Sequence, residues 1–227
     1  ETFEQAKLLG VKTIYDLPIG YWRSARRILA EEAERRPEWK TTIPTLRDSQ
    51  SKLDRKDQEL LLADRIVVAS TFTKGTLTEC PFSIGPLEVV PYAADDAISS
   101  VPSLKRLPYH APLKAIFVGS LSQRKGIADL FDAVDLVGAQ VQLTVIGRKP
   151  ADNCQALEVA LKKHRWIKSL PREQILAEMR AHDVLVFPSL FEGFGLVVTE
   201  ALSQGLPVIT TPHTCGPDVL TEGEDGF

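Results

Sequence analysis

Residues 187–205 read Phe187-Pro188-Ser189-Leu190-Phe191-Glu192-Gly193-Phe194-Gly195-Leu196-Val197-Val198-Thr199-Glu200-Ala201-Leu202-Ser203-Gln204-Gly205. The apolar run Val184 to Phe187 enters this stretch as a strand, and a glycine-bearing loop follows it. A helix then begins near Gly195 and stops at Gly205, a residue type that closes helices by taking the left-handed conformation. Strand, loop and helix in that order form the repeating unit of a parallel sheet, and ligands of such sheets sit at the carboxyl ends of the strands. Two carboxylates stand eight positions apart here, Glu192 before the helix and Glu200 on it. The start of the helix offers unpaired N–H groups and the positive end of its dipole to an anion.

The rest of the second half has the same wiring. Lys114 to Val118, Gln142 to Ile146, Val184 to Phe187 and Pro207 to Thr210 are continuous apolar runs, as expected of strands covered on both faces. Helical stretches separate them, so the natural architecture is a parallel, doubly wound sheet. The first half is also α/β. Val11 to Tyr15 opens it, a helix from about Trp22 to Arg36 is stopped by Pro37, and a second helix covers about Ser49 to Ala63. A β-branched strand from Arg65 to Ala69 leads to Ser70, the expected N-cap of a short helix that ends before Pro81, and Leu87 to Val90 is a further strand. Residues 101–112, with Pro102, Pro108 and Pro112, read as a linker between lobes. The expected division is 1–106 and 107–227.

Directly after the first strand of the second lobe comes Gly119-Ser120-Leu121-Ser122-Gln123-Arg124-Lys125-Gly126. Its small residues let a ligand approach the backbone, and its adjacent cations can neutralise a diphosphate, Arg124 by a planar fork and Lys125 as a point charge. A solvated basic turn capping a helix would carry the same residues, so this loop decides nothing alone. Together with Glu192, the Gly195-Leu196 amides and Glu200 it fits a ligand with hydroxyls on both sides of a diphosphate. Each carboxylate can accept two hydrogen bonds from a vicinal diol.

Composition narrows the function classes. The 227 residues, 44% apolar and 25% charged, can bury a core, and a net charge of -3 provides no field for nucleic acid. The three cysteines, Cys80, Cys154 and Cys215, lack metal or disulfide-framework spacing, which fits a reducing, cytoplasmic setting. No apolar run reaches the roughly 18 residues of a membrane span. Both ends read as cut, since Glu1 is not an initiator Met and Gly226-Phe227 follow a turn where a strand is expected to begin.

The segment FEGFGLVVTEALSQGLPVI is similar to the Glu-x7-Glu segment of family 4 of the retaining glycosyltransferases, which have the GT-B fold of two facing Rossmann-like lobes. VGSLSQRKG resembles that family's diphosphate loop; ADRIVVAS and EVVPYAAD resemble the end of its acceptor lobe, and TEGEDGF its turn into the last strand. The resemblance implies an α/β, GT-B chain with parallel sheets, its first lobe lacking the N-terminal part and its second the C-terminal end. It implies a nucleotide-diphosphate-sugar donor held by Gly119, Ser120, Arg124, Lys125, Glu192, Gly193, Phe194, Gly195, Leu196 and Glu200. Lys125, Arg124 and Glu192 would be the catalytic group, with no metal, no cofactor, and a hexose-type sugar passed with retained configuration to a glycan, lipid or small-molecule acceptor. The nucleotide base would lie near Ile167 to Leu170.

Two departures from the family pattern are visible. Ser120 stands where many members carry Arg, and Tyr15 to Trp22 lacks the His that many have beside the reacting sugar. A nucleotide-sugar-binding module without turnover, and a nucleotide-sugar epimerase on the same fold, therefore stand as alternatives. The four histidines, His110, His164, His182 and His213, show no metal spacing and read as structural or solvated. Arg23, Arg26 and Arg27 share a helical face that could meet an acidic acceptor or the periphery of an anionic membrane. Glu31, at i+4 from Arg27, favours an ordinary surface helix.

Overall fold

The computed structural model describes residues 2–94, 97, 111–151 and 153–227. The expected linker falls almost wholly outside these residues, as do the 106/107 boundary and His110.

The first lobe contains α1 (Thr2–Leu8), β1 (Ile14–Leu17), α2 (Trp22–Arg35), α3 (Gln50–Leu62), β2 (Arg65–Val68), α4 (Thr71–Thr76) and β3 (Leu87–Val89). Its strands form a parallel sheet in the order β1-β2-β3. On α2 the buried residues Ala25, Leu29 and Ala33 recur every fourth position, the stripe that turns an amphipathic helix toward a core. Ser49 caps α3 by accepting from the Lys52 N–H, and Ser70 caps α4 by accepting from the Thr73 N–H. The α1 helix was not expected; it buries no residue and is tied down by an ion pair from Lys7 to Asp64 at 2.8 Å.

The second lobe follows with β4 (Leu113–Val118), α5 (Ile127–Val137), β5 (Val141–Ile146), α6 (Gln155–Leu161), β6 (Arg165–Ile167), α7 (Arg172–Arg180), β7 (Val184–Phe187), α8 (Leu196–Ser203), β8 (Val208–Thr210) and α9 (Gly216–Val219). Its sheet is parallel throughout, in the order β6-β5-β4-β7-β8. Three consecutive β4 residues, Ala115, Ile116 and Phe117, are buried, as strands covered on both faces require. The final Thr221 to Phe227 segment runs beside β8, with Phe227 N–H donating to the Val208 carbonyl at 2.9 Å. The chain proceeds from β4 out to β6 and then returns to the other side of β4 with β7. The crevice between the carboxyl ends of β4 and β7 is therefore the switch point of the sheet.

The lobes interlock through 3-10 turns at Pro37–Thr42 and Pro44–Arg47, which periodicity could not reveal. Trp39 leaves the first lobe and packs in the second lobe's core, its ring 6.1 Å from that of Phe131. Phe191 makes the opposite crossing and sits among Ala25, Leu29 and Ile43. Between these crossings, the Ser122 hydroxyl donates to the Thr42 carbonyl at 2.6 Å. The buried Gln123 amide donates to Glu32 at 2.6 Å and to Asp129 at 2.9 Å.

Candidate active site at the switch point

The loop after β4 and the loop after β7 meet at this crevice. Gln123 to Lys125 form a single 3-10 turn that Ser122 caps by accepting from the Arg124 N–H, which turns the side chains of Arg124 and Lys125 toward the β7 loop. Lys125 is in direct ion-pair contact with Glu192, both side chains nearly buried at 11% and 14% exposure. The Lys125 ammonium also stands 4.7 Å from the centre of the Phe187 ring, at the end of β7. The Arg124 guanidinium lies 3.5 Å from the Glu192 carboxylate and donates to the Phe191 carbonyl at 2.7 Å.

Burial, and then the adjacent guanidinium, push the Lys125 ammonium down to about 7; the carboxylate against it acts in the opposite sense. Burial likewise lowers Arg124 from its usual value. Two cations thus share one carboxylate in a largely desolvated corner. The local excess of positive charge suits a further anion.

The loop beyond Glu192 is fixed from several sides. Gly193 has no room for a side chain, because an added Cβ would stand 1.9 Å from the Pro18 carbonyl oxygen of the first lobe. Its own carbonyl accepts from the Ser70 hydroxyl at 2.6 Å and the Thr73 hydroxyl at 2.8 Å, both first-lobe residues. Phe194 packs edge-on to Tyr92 with centroids 5.4 Å apart, and its carbonyl accepts from Cys215 N–H at 2.7 Å. Gly195 takes φ 92° as the N-cap of α8, a conformation that favours glycine. Among the described residues, the N–H groups of Phe194, Gly195, Leu196 and Val197 meet no acceptor. A row of free amides at a helix start, at the positive end of the helix dipole, is suited to receive an anion.

The structure brings Arg124, Lys125, Glu192, Gly193, Phe194, Gly195 and Leu196 into one neighbourhood. Gly119 directly follows β4, its N–H donating to the Ile146 carbonyl at 2.9 Å, and Ser120 beside it is exposed. Glu200 lies one turn into α8 and accepts from Arg172 at the start of α7 at 3.3 Å. His213 is a packing residue here: it stacks on Phe72 at 4.9 Å, and one ring nitrogen meets the Leu190 carbonyl at 2.9 Å. Cys215 is fully buried, and burial pushes its thiol up to about 12. Among the described residues no cluster of three His, Cys, Asp or Glu could hold a metal ion. No helix among them is long and apolar enough to cross a membrane. Pro18, Ser70 and Thr73 were not among the expected site residues; Ser70 was legible only as a helix cap.

A family model described as glycosyl transferases group 1 matches residues 105–227, more than half of the chain and the whole stretch from Gly119 to Glu200. The chain belongs to the group 1 glycosyl transferases. Over 137 residues it is 31% identical to the phosphatidyl-myo-inositol mannosyltransferase of Mycobacterium leprae, covering 58% of this chain and 36% of that protein. Over 172 residues it is 27% identical to the glycogen synthase of Mycobacterium tuberculosis, covering 72% of this chain and 41% of that protein. Its fold matches that of Anabaena HepE in complex with UDP and glucose at a TM-score of 0.69 and 18% identity, over 100% of this chain and 60% of that one. The chain thus spans less than two thirds of each of these relatives. The two Rossmann-like lobes with parallel sheets are those of the GT-B fold.

Proposed function

We propose that this group 1 chain carries the donor grip of a retaining, family 4-type transferase that moves a hexose-type sugar from a nucleotide-diphosphate-sugar to an acceptor. The observation that carries the reading is the pairing of Lys125 with Glu192 at the switch point, with Arg124 as a second cation and the free amides of the α8 start beside it. In this reading Lys125 and Arg124 take the charge that develops on the departing diphosphate. Fixed charge placed where charge develops is the largest lever available to such a catalyst. The Gly195 and Leu196 amides hold phosphate, Glu192 orients the transferred sugar through its hydroxyls, and Glu200 accepts from the ribose. The acceptor, a glycan, lipid or small molecule, approaches from the first lobe. The uridine nucleotide and glucose bound to HepE support a donor of this class.

The reading is tested by incubating the full-length protein with UDP- and GDP-hexoses and following release of nucleoside diphosphate and the fate of the sugar, with Lys125→Ala and Glu192→Ala alongside. Donor-dependent transfer that both variants cripple supports it, and turnover unchanged in both overturns it. Nucleotide binding without transfer would point to a binding module. A changed sugar released without acceptor would point to an epimerase.

A further inference from the structure

We propose that Ser70 and Thr73, on the first lobe, are positioning residues for the donor site of the second, an assignment that rests on the reading above. Both side chains are fully buried, and both hydroxyl groups converge on one acceptor, the Gly193 carbonyl, at 2.6 and 2.8 Å. A hydroxyl has a single proton to give; the Ser70 proton has a second acceptor in the Thr73 hydroxyl at 3.1 Å, and the Gly193 carbonyl at 2.6 Å is the nearer of the two. The Ser70 oxygen meanwhile accepts from the Thr73 N–H at 3.1 Å, which locks the two hydroxyls to each other through the cap of α4.

The orientation of the Gly193 carbonyl governs its neighbours. Across a planar trans peptide the C=O and the next N–H point in opposite directions. Holding the Gly193 oxygen toward the first lobe therefore aims the Phe194 N–H away from it, and that amide is the first of the row of N–H groups without an acceptor among the described residues. Gly193 also follows Glu192 directly, and its own N–H donates to the Glu192 carboxylate at 3.3 Å. The Pro18 carbonyl, against which a Gly193 Cβ would stand at 1.9 Å, packs against the same residue. The peptide is thus held by the Pro18 carbonyl after β1 and by the hydroxyls of Ser70 and Thr73 at the start of α4, and the first lobe sets the aim of the anion-binding amides and of Glu192. Donor affinity therefore depends on residues that touch no part of the donor.

The test uses the full-length protein carrying Thr73→Val, Thr73→Ser and the double variant Ser70→Ala/Thr73→Val. Donor KM is read in the transfer assay, and dissociation constants for UDP, GDP and ADP are read by calorimetry. Thr73→Val keeps the Ser70 cap and the side-chain shape while removing one donor. We expect it to raise donor KM and the nucleoside-diphosphate dissociation constant by about ten-fold, the double variant by more, and Thr73→Ser to restore both. Loss of folded protein alone would lower the active fraction and leave KM and the dissociation constant unchanged. Ser49→Ala, which removes the cap of α3 and makes no hydrogen bond to Gly193, controls for the loss of a helix cap. Unchanged KM and affinity in Thr73→Val and the double variant, or equal impairment in Thr73→Ser, would overturn the assignment while leaving the proposed function standing. Absence of both transfer and nucleotide binding in the wild type would overturn the proposed function and, with it, this assignment.

Discussion

Lys125 and Glu192 meet in an ion pair between the carboxyl ends of β4 and β7, with the Phe187 ring beneath the ammonium at 4.7 Å. Each comes from a loop that follows a central strand, so the sheet topology rather than local sequence creates the contact. The apolar ring shields the pair from water on one side, which strengthens its interaction with any incoming charge.

Removing either partner has unequal consequences. Lys125→Ala leaves Glu192 with Arg124 as its counter-charge at 3.5 Å, so the fold should tolerate it while transfer falls about 10²- to 10³-fold. Glu192→Ala leaves two cations in a desolvated corner without a carboxylate and should cost about 3 kcal/mol of stability as well as activity. Urea unfolding beside the transfer assay separates the two effects.

Gly193→Ala places a methyl group against backbone rather than against a movable side chain, with the Pro18 oxygen 1.9 Å away. The expected cost is about 3 kcal/mol, together with weaker nucleotide binding. Gly75→Ala, where an added Cβ meets nothing within 4 Å, should show neither effect in the same denaturation and calorimetry experiments.

Gln123 joins the lobes as a neutral donor between two carboxylates, Glu32 at 2.6 Å and Asp129 at 2.9 Å. Gln123→Glu replaces that donor by a third acceptor and a like charge in a buried position. Stability should fall by about 2–4 kcal/mol at neutral pH, and lowering the pH to protonate the cluster should recover part of the loss. A variant as stable as wild type at neutral pH would contradict this account of the interface.

Asp64 supplies a pH-dependent part of first-lobe stability. Its hydrogen bond from Lys7, and then the one from the Thr13 amide, hold the carboxyl well below its ordinary value of 3.8. A carboxyl depressed in the folded state contributes stability that is complete above the unfolded value and is lost as pH falls below it. The stability difference between wild type and Asp64→Asn should therefore be largest at neutral pH and shrink at about pH 3. A constant difference across that range would show that Asp64 acts through packing alone.

Much of this architecture was legible in the residues. Val184 to Phe187 is a strand with the expected bounds, and Ser70 is the expected cap, because strand runs and capping side chains are local signals. Lys125, Arg124 and Glu192 were predicted as one group and do come together. The turns from Pro37 to Arg47 carry no periodicity, and so the roles of Trp39 and Thr42 in joining the lobes had no signature. Thr73 and Pro18 escaped for a related reason: their contacts with Gly193 exist only once the two lobes are docked. Glu200 was expected to face the ribose of the ligand; the contact it makes with Arg172 on α7 had no signature, because it joins residues 28 positions apart.

The exchange of Trp39 and Phe191 between lobes has a consequence for how the protein denatures. Each half keeps an aromatic ring that belongs, structurally, to the other half's interior. Separating them would leave a ring-sized hollow on both sides, a loss of several kcal/mol at each. Heating should therefore melt the halves together, in a single calorimetric transition, and a cut through the connecting segment should yield two pieces that are each less soluble than the whole.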